Sequence, residues 1–95
     1  MSDIIEGAVA ALSERLGDGF DASVKFEITG EGAVIVDANG VRAGDDAADC
    51  TLTADAETFQ AMMDGSLNPT AAFMTGKLSV DGDMGIAMKL GAMLA

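Results

Sequence analysis

The sequence predicts an α+β fold in one domain, because its hydrophobic pattern changes from helical to strand-like and back to helical without an intervening linker. Apolar residues recur at helical spacing near the start, residues 22–29 alternate between apolar and polar, and helix-capping residues appear from position 55 onward. Ninety-five residues are enough for one domain with one hydrophobic core. We therefore expect residues 1–95 to fold as a single unit.

The first predicted helix occupies the beginning of the chain. Asp3 and Glu6 form a capping-box pattern, and apolar residues recur at helical spacing from Ile5 to Leu16. Gly17 is placed to end this helix, since glycine readily adopts the left-handed conformation common at helix ends.

Strand patterns follow the first helix. The segment ASVKFEIT, residues 22–29, alternates as a half-buried strand does, and GEG turns the chain into the apolar strand AVIVDA, residues 33–38. Asn39-Gly40 predicts a two-residue hairpin turn in which both residues adopt positive φ, followed by a strand through Val41. The segment DCTLTA predicts a further strand.

Helix signals return after this strand. Asp55 is placed to cap one helix and Gly65 to end it, while Asn68, followed by proline, starts another helix. The segment KLSVD, residues 77–81, predicts a short strand. A glycine and Asp83 then turn the chain and cap the last helix.

The last predicted helix is apolar over about two-thirds of its circumference. Its two apolar sides consist of Met84, Ala87, Met88 and Gly91, and of Ile86, Leu90, Met93 and Leu94. This pattern predicts a helix buried on two sides, against the sheet and against a second surface. That surface is either a neighbouring helix or subunit, or an apolar ligand, and the six methionines between residues 62 and 93 suit a wall that repacks around variable ligands.

Charge and composition exclude several classes of partner. Sixteen acidic residues against five basic ones give a formal charge of −11, which excludes nucleic acid and allows at most transient contact with anionic membranes. Histidine is absent and Cys50 is the one cysteine, so neither a zinc nor a haem site is expected. Acidic residues interrupt the first apolar run, which argues against a signal peptide and favours a cytoplasmic location.

Motifs for catalysis or cofactor binding are not found. Without histidine, Ser-His and Cys-His arrangements are impossible, and Cys50 is interpreted as a small buried hydrophobe. The segment DGDMG lacks the later ligands of an EF-hand, and TGKLS lacks the first glycine of a P-loop. We therefore predict no catalytic residue, no metal and no cofactor. Arg15, Arg42 and Lys89 are candidates to hold the carboxylate of an apolar ligand, with a solvated surface charge as the favoured alternative for each.

The segment NPTAAFMTGKLSVDGDMGIAMKL, residues 68–90, closely resembles the signature region of the sterol carrier protein type-two family, also called non-specific lipid-transfer proteins. The resemblance extends back through DCTLTADAETFQAMMDG and, more weakly, to the N-terminus. It implies a five-stranded, mostly antiparallel sheet layered with helices that enclose an apolar tunnel. It also implies a ligand, which would be a fatty acid, a fatty acyl-CoA or a sterol-like lipid.

The resemblance implies that the tunnel wall comes from the last three helices. The residues predicted to bind lipid are Phe59, Met62, Met63, Phe73, Met74, Met84, Ile86, Met88, Leu90 and Met93. Three functions remain open: a non-enzymatic intracellular lipid carrier, an accessory module that presents a lipid-like substrate to partner enzymes, and a structural or dimerising domain without ligand. The sequence does not decide the oligomeric state. Because this chain is acidic and ends in AMLA, the peroxisomal location of familiar animal members is not implied.

Overall fold

The computed structural model describes residues 3–16 and 19–94. Its elements follow the chain in the order α1 (Asp3–Leu16), β1 (Val24–Ile28), β2 (Gly32–Asp37), β3 (Gly40–Ala43), β4 (Cys50–Ala54), α2 (Ala56–Met63), α3 (Pro69–Met74), β5 (Ser79–Gly82) and α4 (Met84–Leu94). Gly17, predicted to end the first helix, lies outside the described residues. Asp3 and Glu6, predicted to form a capping box, both lie in the first turn of α1.

The five strands form one sheet in the order β3-β2-β1-β4-β5. Strands β1, β2 and β3 form an antiparallel meander, and β4 then pairs in parallel with the other side of β1. Strand β5 pairs antiparallel with β4. The predicted α+β fold with a mostly antiparallel five-stranded sheet is therefore confirmed, with β1 and β4 as its parallel pair.

The helices lie on one face of this sheet. Helix α1 packs on β2 and β3 and against α2, whereas α4 packs on β4 and β5 and against α3. Because side chains alternate along a strand, one set of strand residues faces the helices. The core that the helices and the sheet share is formed by Ile5, Ala8, Leu12, Leu16, Phe20, Val24, Phe26, Ile28, Val34, Val36, Cys50, Leu52, Ala54, Phe59, Met62, Ala72, Leu78 and Leu90.

The opposite face of the sheet is covered in part by the segment after β3. The amide of Gly44 donates to the carbonyl of Ala33 at 3.1 Å, and the ammonium of Lys25 pairs with the Asp45 carboxylate at 2.9 Å. This segment lies over Ile35, which is buried although its neighbours in the strand face the core. The apolar pattern on both faces of the AVIVDA strand is explained in this way.

Local side-chain caps start the helices where the sequence predicts them. The side chains of Asp55, Asn68 and Asp83 each accept a hydrogen bond of 2.7 to 2.8 Å from a backbone amide two or three residues later. Gly65 follows the end of α2 with φ of 85°, a conformation that glycine adopts without strain. These four predictions are confirmed.

The hairpin between β2 and β3 differs from the predicted one. Asp37 pairs with Gly40, so the two turn residues are Ala38 and Asn39, and the glycine is already part of β3. Gly40 has φ of 113°, whereas no described residue other than glycine has positive φ. The Asp37 side chain accepts a hydrogen bond from the Asn39 amide at 2.9 Å, and this Asx turn removes the need for positive φ at asparagine.

Across the described part of the chain, no helix has the length and apolar character needed to cross a membrane.

Candidate functional site

An apolar cavity of about 280 Å³ lies between the α3–α4 pair and the sheet, open at the surface. Thr70 is the one polar residue among the described residues that line it. The lining residues are Phe26, Leu52, Met62, Pro69, Thr70, Phe73, Met74, Leu78, Val80, Met84, Ala87, Met88 and Gly91. A tunnel that passes through the fold remains a prediction.

The floor of the cavity is a row of side chains across three neighbouring strands. Phe26 of β1 is in register with Leu52 of β4, and Leu52 is in register with Val80 of β5. Phe26 and Leu52 are buried, and Met62 of α2 closes the inner end. Phe59 does not line the cavity but packs against this floor, because its ring meets that of Phe26 edge to face with centroids 5.8 Å apart.

The rim of the cavity consists of large apolar side chains that remain exposed. Met74 is 78% exposed and Met88 is 73% exposed, while Met84 and Phe73 are 44% and 42% exposed. A side chain of this kind gains little from folding when most of its surface stays in water. The rim is thus an exposed apolar patch around the mouth of an apolar cavity, a combination that marks interaction sites.

Helices α3 and α4 are positioned by their first turns and by a close approach between them. Asn68 caps α3, and Pro69 takes the first helical position, where a missing amide proton costs nothing. The Asp83 side chain accepts from the amides of Gly85 and Ile86 at the start of α4. A Cβ at Gly91 would lie 3.7 Å from that of Pro69, an ordinary van der Waals contact, so the two helices come close together at this glycine.

Five of the ten residues predicted to bind lipid line this cavity: Met62, Phe73, Met74, Met84 and Met88. The other five do not. Phe59, Ile86 and Leu90 pack on the core. Met63 points into a groove between α1 and α2, and Met93 is exposed on another side of α4.

One side of helix α4 is buried within the protein, and the second surface predicted to cover its other side stays a prediction. One side, with Ile86 and Leu90, packs on the core, whereas the other side faces the cavity and solvent. The four members of that second side are the residues that line the cavity from α4: Met84, Ala87, Met88 and Gly91. The helical pattern in the sequence separated these two sides.

Sequence reasoning missed the residues that the sheet and the helix starts contribute. Phe26, Leu52 and Val80 were placed on strands but not near the helices' methionines, because strand pairing over this distance leaves no local signal. Ala87 and Gly91 did carry a local signal in the sequence, because they share one side of the last helix with Met84 and Met88.

The three basic residues considered as carboxylate ligands are engaged elsewhere. Arg42 pairs with Asp37 at 2.9 Å, and Arg15 donates to the backbone carbonyl of Met63. Lys89 pairs with Asp21, and this hydrogen bond holds the pKa of that carboxyl below its usual range. None of the three lines the cavity, so their interpretation as surface charges is favoured.

Cys50 is buried on β4, as the sequence predicts. Burial raises the pKa of its thiol, and the nearby carboxylates of Asp83 and Asp81 raise it further. A thiol with a raised pKa is a poor nucleophile at neutral pH because it stays protonated. Within residues 3–16 and 19–94, no group of three or more Cys, Asp or Glu residues is placed to hold a metal ion.

A second groove, of about 370 Å³, lies between α1 and α2. It is larger than the apolar cavity, but Asp3, Gln60 and Asp64 contribute to its lining. Carboxylates are costly to desolvate, so this groove fits an apolar ligand less well than the α3–α4 cavity does.

The two sequence relatives reported below each match about half of the chain. Sterol carrier protein 2 from Homo sapiens is 52% identical over 46 residues, which are 48% of this chain and 8% of that protein. Hydroxysteroid dehydrogenase-like protein 2 from Danio rerio is 52% identical over 48 residues, which are 50% of this chain and 12% of that protein. The chain therefore spans a small part of the length of these relatives.

Solved structures match over the whole fold. The solution structure of sterol carrier protein-2 from Aedes aegypti, in complex with C16 fatty acid (palmitate), has a TM-score of 0.79 and 26% identity and covers 100% of this chain and 97% of that one. A structure of the UbiJ-SCP2 ubiquinone synthesis protein has a TM-score of 0.60 and 25% identity over 98% of this chain and 75% of that one. The model of the SCP-2 sterol transfer family matches residues 6–95. The chain therefore belongs to the SCP-2 sterol transfer family.

Proposed function

We propose that this chain binds a lipid in the α3–α4 cavity and carries it without catalysing a reaction. The observation that carries the proposal is the composition of the cavity, in which Thr70 is the one polar residue among the thirteen described residues of the wall. Each methylene group of a ligand that is buried against such a wall contributes about 0.8 kcal/mol to the binding free energy. A polar group of the ligand would find almost no hydrogen-bond partner there. The palmitate complex of the Aedes aegypti relative supports an acyl chain as the ligand.

The size and flexibility of the cavity favour a single acyl chain. About 280 Å³ is slightly below the roughly 300 to 1,000 Å³ that is typical of ligand sites. The methionines of the rim can repack to lengthen the cavity, because their side chains are unbranched and exposed. We therefore rank a fatty acid or fatty acyl-CoA above a sterol, with residues 1–95 acting as one carrier unit in the cytoplasm.

The absence of catalysis is part of the proposal. The chain has no histidine, and Cys50 is buried with a raised pKa, so neither supplies an activated nucleophile. The isolated protein is expected to turn over no acyl-CoA, ester or phosphate substrate above background. A reproducible turnover that disappears when one polar residue is replaced would overturn this part.

Native mass spectrometry of freshly purified protein, followed by organic extraction, tests for a bound lipid and identifies it. Titration with a fluorescent fatty acid then tests the site. Met74→Asp and Met88→Asp place a charge at the mouth and should each weaken binding about tenfold or more, while the protein stays folded because both positions are exposed. Met93→Asp is the matched control, since Met93 is exposed on α4 but does not line the cavity. Equal affinity of the three folded variants would place the ligand elsewhere.

A second candidate function is an accessory module that presents a lipid-like substrate to separate enzymes. It is favoured by the curated relatives, of which this chain matches 8 to 12%, and by the likeness to the ubiquinone synthesis protein. Copurification of an enzyme together with the lipid would support this role. No specific observation favours a ligand-free structural or dimerising domain, the third possibility raised by the sequence.

A further inference from the structure

The wall of the α3–α4 cavity carries no charge among the residues that the structure describes. Its lining includes neither an acidic nor a basic side chain, and Thr70 supplies its single hydroxyl group. At roughly 30 Å³ for each carbon, the volume of one water molecule in the liquid, a cavity of about 280 Å³ holds a chain of about nine carbons. The head group of such a ligand must therefore find its polar partners at Thr70 or at the mouth.

The basic residues of the chain are engaged away from this wall. All five fall in the described ranges of the chain. Lys25, Arg42 and Lys89 each form an ion pair with an aspartate, and Arg15 donates to a backbone carbonyl of α2. None of these four lines the cavity, so none is placed to meet the charge of a ligand inside it.

Lys77, the fifth basic residue, lies in the turn between α3 and β5 and does not line the cavity either. Hydrogen bonds from Thr58 and, to a smaller extent, the charge of Lys77 hold the pKa of the Asp55 carboxyl below its usual range. Two further carboxylates lie beside the wall, that of Asp81 next to a lining residue of β5 and that of Asp83 at the start of α4. The charges that flank the wall therefore do not add up to a cationic site.

The other elements around the cavity add no charge to it. In β1, Lys25 and Glu27 alternate with the lining residue Phe26 and so lie on the opposite face of the sheet. Strand β4 and helix α3 contain no charged residue, and Glu57 of α2 is exposed outside the lining. The cavity is thus neutral on every side that the structure describes.

We propose that the α3–α4 cavity selects single-chain lipids with an uncharged head group over lipids with an ionised one. Suitable ligands are a fatty alcohol, a fatty ester and a fatty acid in its protonated form. A hydroxyl or carbonyl oxygen can bond to the Thr70 hydroxyl, whereas a carboxylate would lose water without gaining a cationic partner. The formal charge of −11 adds repulsion for any anionic ligand.

This inference rests on the proposed function and narrows its ligand class. Of the acyl ligands ranked above a sterol, the protonated fatty acid is favoured, and the fatty acyl-CoA is disfavoured because its phosphates are anionic. A free carboxyl ionises near the pKa of a glutamate side chain, about 4.3, so most of a dissolved fatty acid is anionic at neutral pH. Its apparent affinity should therefore depend on pH, whereas that of a neutral lipid should not.

The test compares decanol with decanoic acid, whose chains match the length that the cavity holds and whose head groups differ in charge. Each displaces a neutral fluorescent probe, phenylnaphthylamine, at pH values from about 5.5 to about 8. The affinity for decanol should stay constant and reports any titration of the protein itself; Asp21 and Asp55, whose pKa values are lowered, stay ionised throughout. The affinity for decanoic acid should fall at least about tenfold across the series, and by at most about tenfold for each pH unit, the limit at which the protonated form alone binds. Equal affinity for decanoic acid at both ends of the series, or a parallel fall for decanol, would overturn the proposal.

A cation placed on the wall should weaken this selection. Thr70→Lys introduces one at an exposed lining position, and Thr70→Gln is the matched neutral control. At about pH 8, T70K should bind decanoate at least about tenfold more tightly than T70Q does, and the two should bind decanol equally, because an opposite charge at close range favours the ionised form. Met74→Lys and Met74→Gln repeat the comparison at the exposed rim, and thermal unfolding checks that all four variants are folded. Decanoate binding that is the same in the lysine and glutamine variants at both positions would contradict the proposal.

Failure of this inference can be separated from failure of the proposed function. Displacement of the probe by decanol and decanoate with the same, pH-independent affinity keeps lipid carriage and refutes the selection alone. If neither the probe nor either ligand binds at any pH, the proposed function fails and the selection fails with it. Decanoyl-CoA adds a third comparison, since it should bind less tightly than decanol at neutral pH. Tighter binding of decanoyl-CoA would refute the selection, because this acidic protein would then accept an anionic head group.

Discussion

The Gly91→Leu substitution gives a direct test of whether the α3–α4 cavity is the lipid site. Gly91 lies in α4 and lines the cavity opposite Pro69 of α3. A Cβ there would be 3.7 Å from the Pro69 Cβ, which is an ordinary van der Waals contact, so a side chain can begin at this position without a clash. The remaining carbons of leucine would extend into the cavity.

The expected loss of affinity follows from the volume that leucine occupies. Its four side-chain carbons fill roughly 100 Å³ if each takes on the order of 30 Å³, the volume of one water molecule in the liquid. That is more than a third of the cavity of about 280 Å³. If about four methylene groups of the ligand are displaced, at about 0.8 kcal/mol each, binding should weaken by about 3 kcal/mol, or somewhat more than a hundredfold.

The same substitution should not weaken the fold. Replacing a helical glycine by leucine reduces the freedom of the unfolded chain and is worth about 0.5 to 1 kcal/mol, which raises the Tm by about 4 to 8 °C per kcal/mol in a domain of this size. Gly7→Ala in α1 is the control, since Gly7 has open space around it and lies outside the cavity. Both variants should be more stable by thermal unfolding, and G91L alone should lose fluorescent fatty-acid binding. Unchanged affinity in a stabilised G91L protein would refute the assignment of the cavity.

Three further predictions concern stability and reactivity. Gly82→Ala should destabilise the fold more than Gly76→Ala by denaturant unfolding, because both glycines have positive φ but only a Cβ at Gly82 would lie 2.4 Å from the Asp49 carbonyl oxygen; equal losses would contradict the clash. The carboxylate of Asp55 has a pKa lowered below 3.8 by hydrogen bonds, so its stabilising effect should be present above about pH 4 and vanish as the pH falls through the folded-state pKa. Asp55→Ala should therefore differ from the unaltered protein in urea at neutral pH and match it in acid, and a constant difference would refute the linkage. Cys50 should react with a thiol reagent far more slowly in the native protein than in denaturant, and equal rates would show that its strand opens freely.

The element boundaries were predictable because their signals are local. Asp55, Asn68 and Asp83 cap helices through hydrogen bonds to amides two or three residues away, so residue type and spacing determine the result. The Asn39-Gly40 turn was mispredicted for an equally local reason. The side chain of Asp37 captures the Asn39 amide and shifts the turn back by one residue.

The cavity was only half predictable because its floor depends on strand pairing between distant parts of the chain. The parallel pairing of β1 with β4 places Phe26 beside Leu52, and β5 adds Val80 to the same row. Each of these residues looks like an ordinary core residue in its own strand. Their place under the helices follows from the strand order and not from any spacing in the sequence.

Helix α4 shows how stability and binding are divided between the sides of one element. Leu90 is fully buried and supports the core, so its truncation would cost about 2 to 5 kcal/mol. Met88 is 73% exposed, and a change at such a surface position usually alters stability by less than about 0.5 kcal/mol. Folding therefore gives little reason for a large apolar side chain at Met88, or at Met74 across the mouth. Burial of these methionines by the proposed lipid ligand would account for their apolar character, which the stability of the isolated chain does not explain.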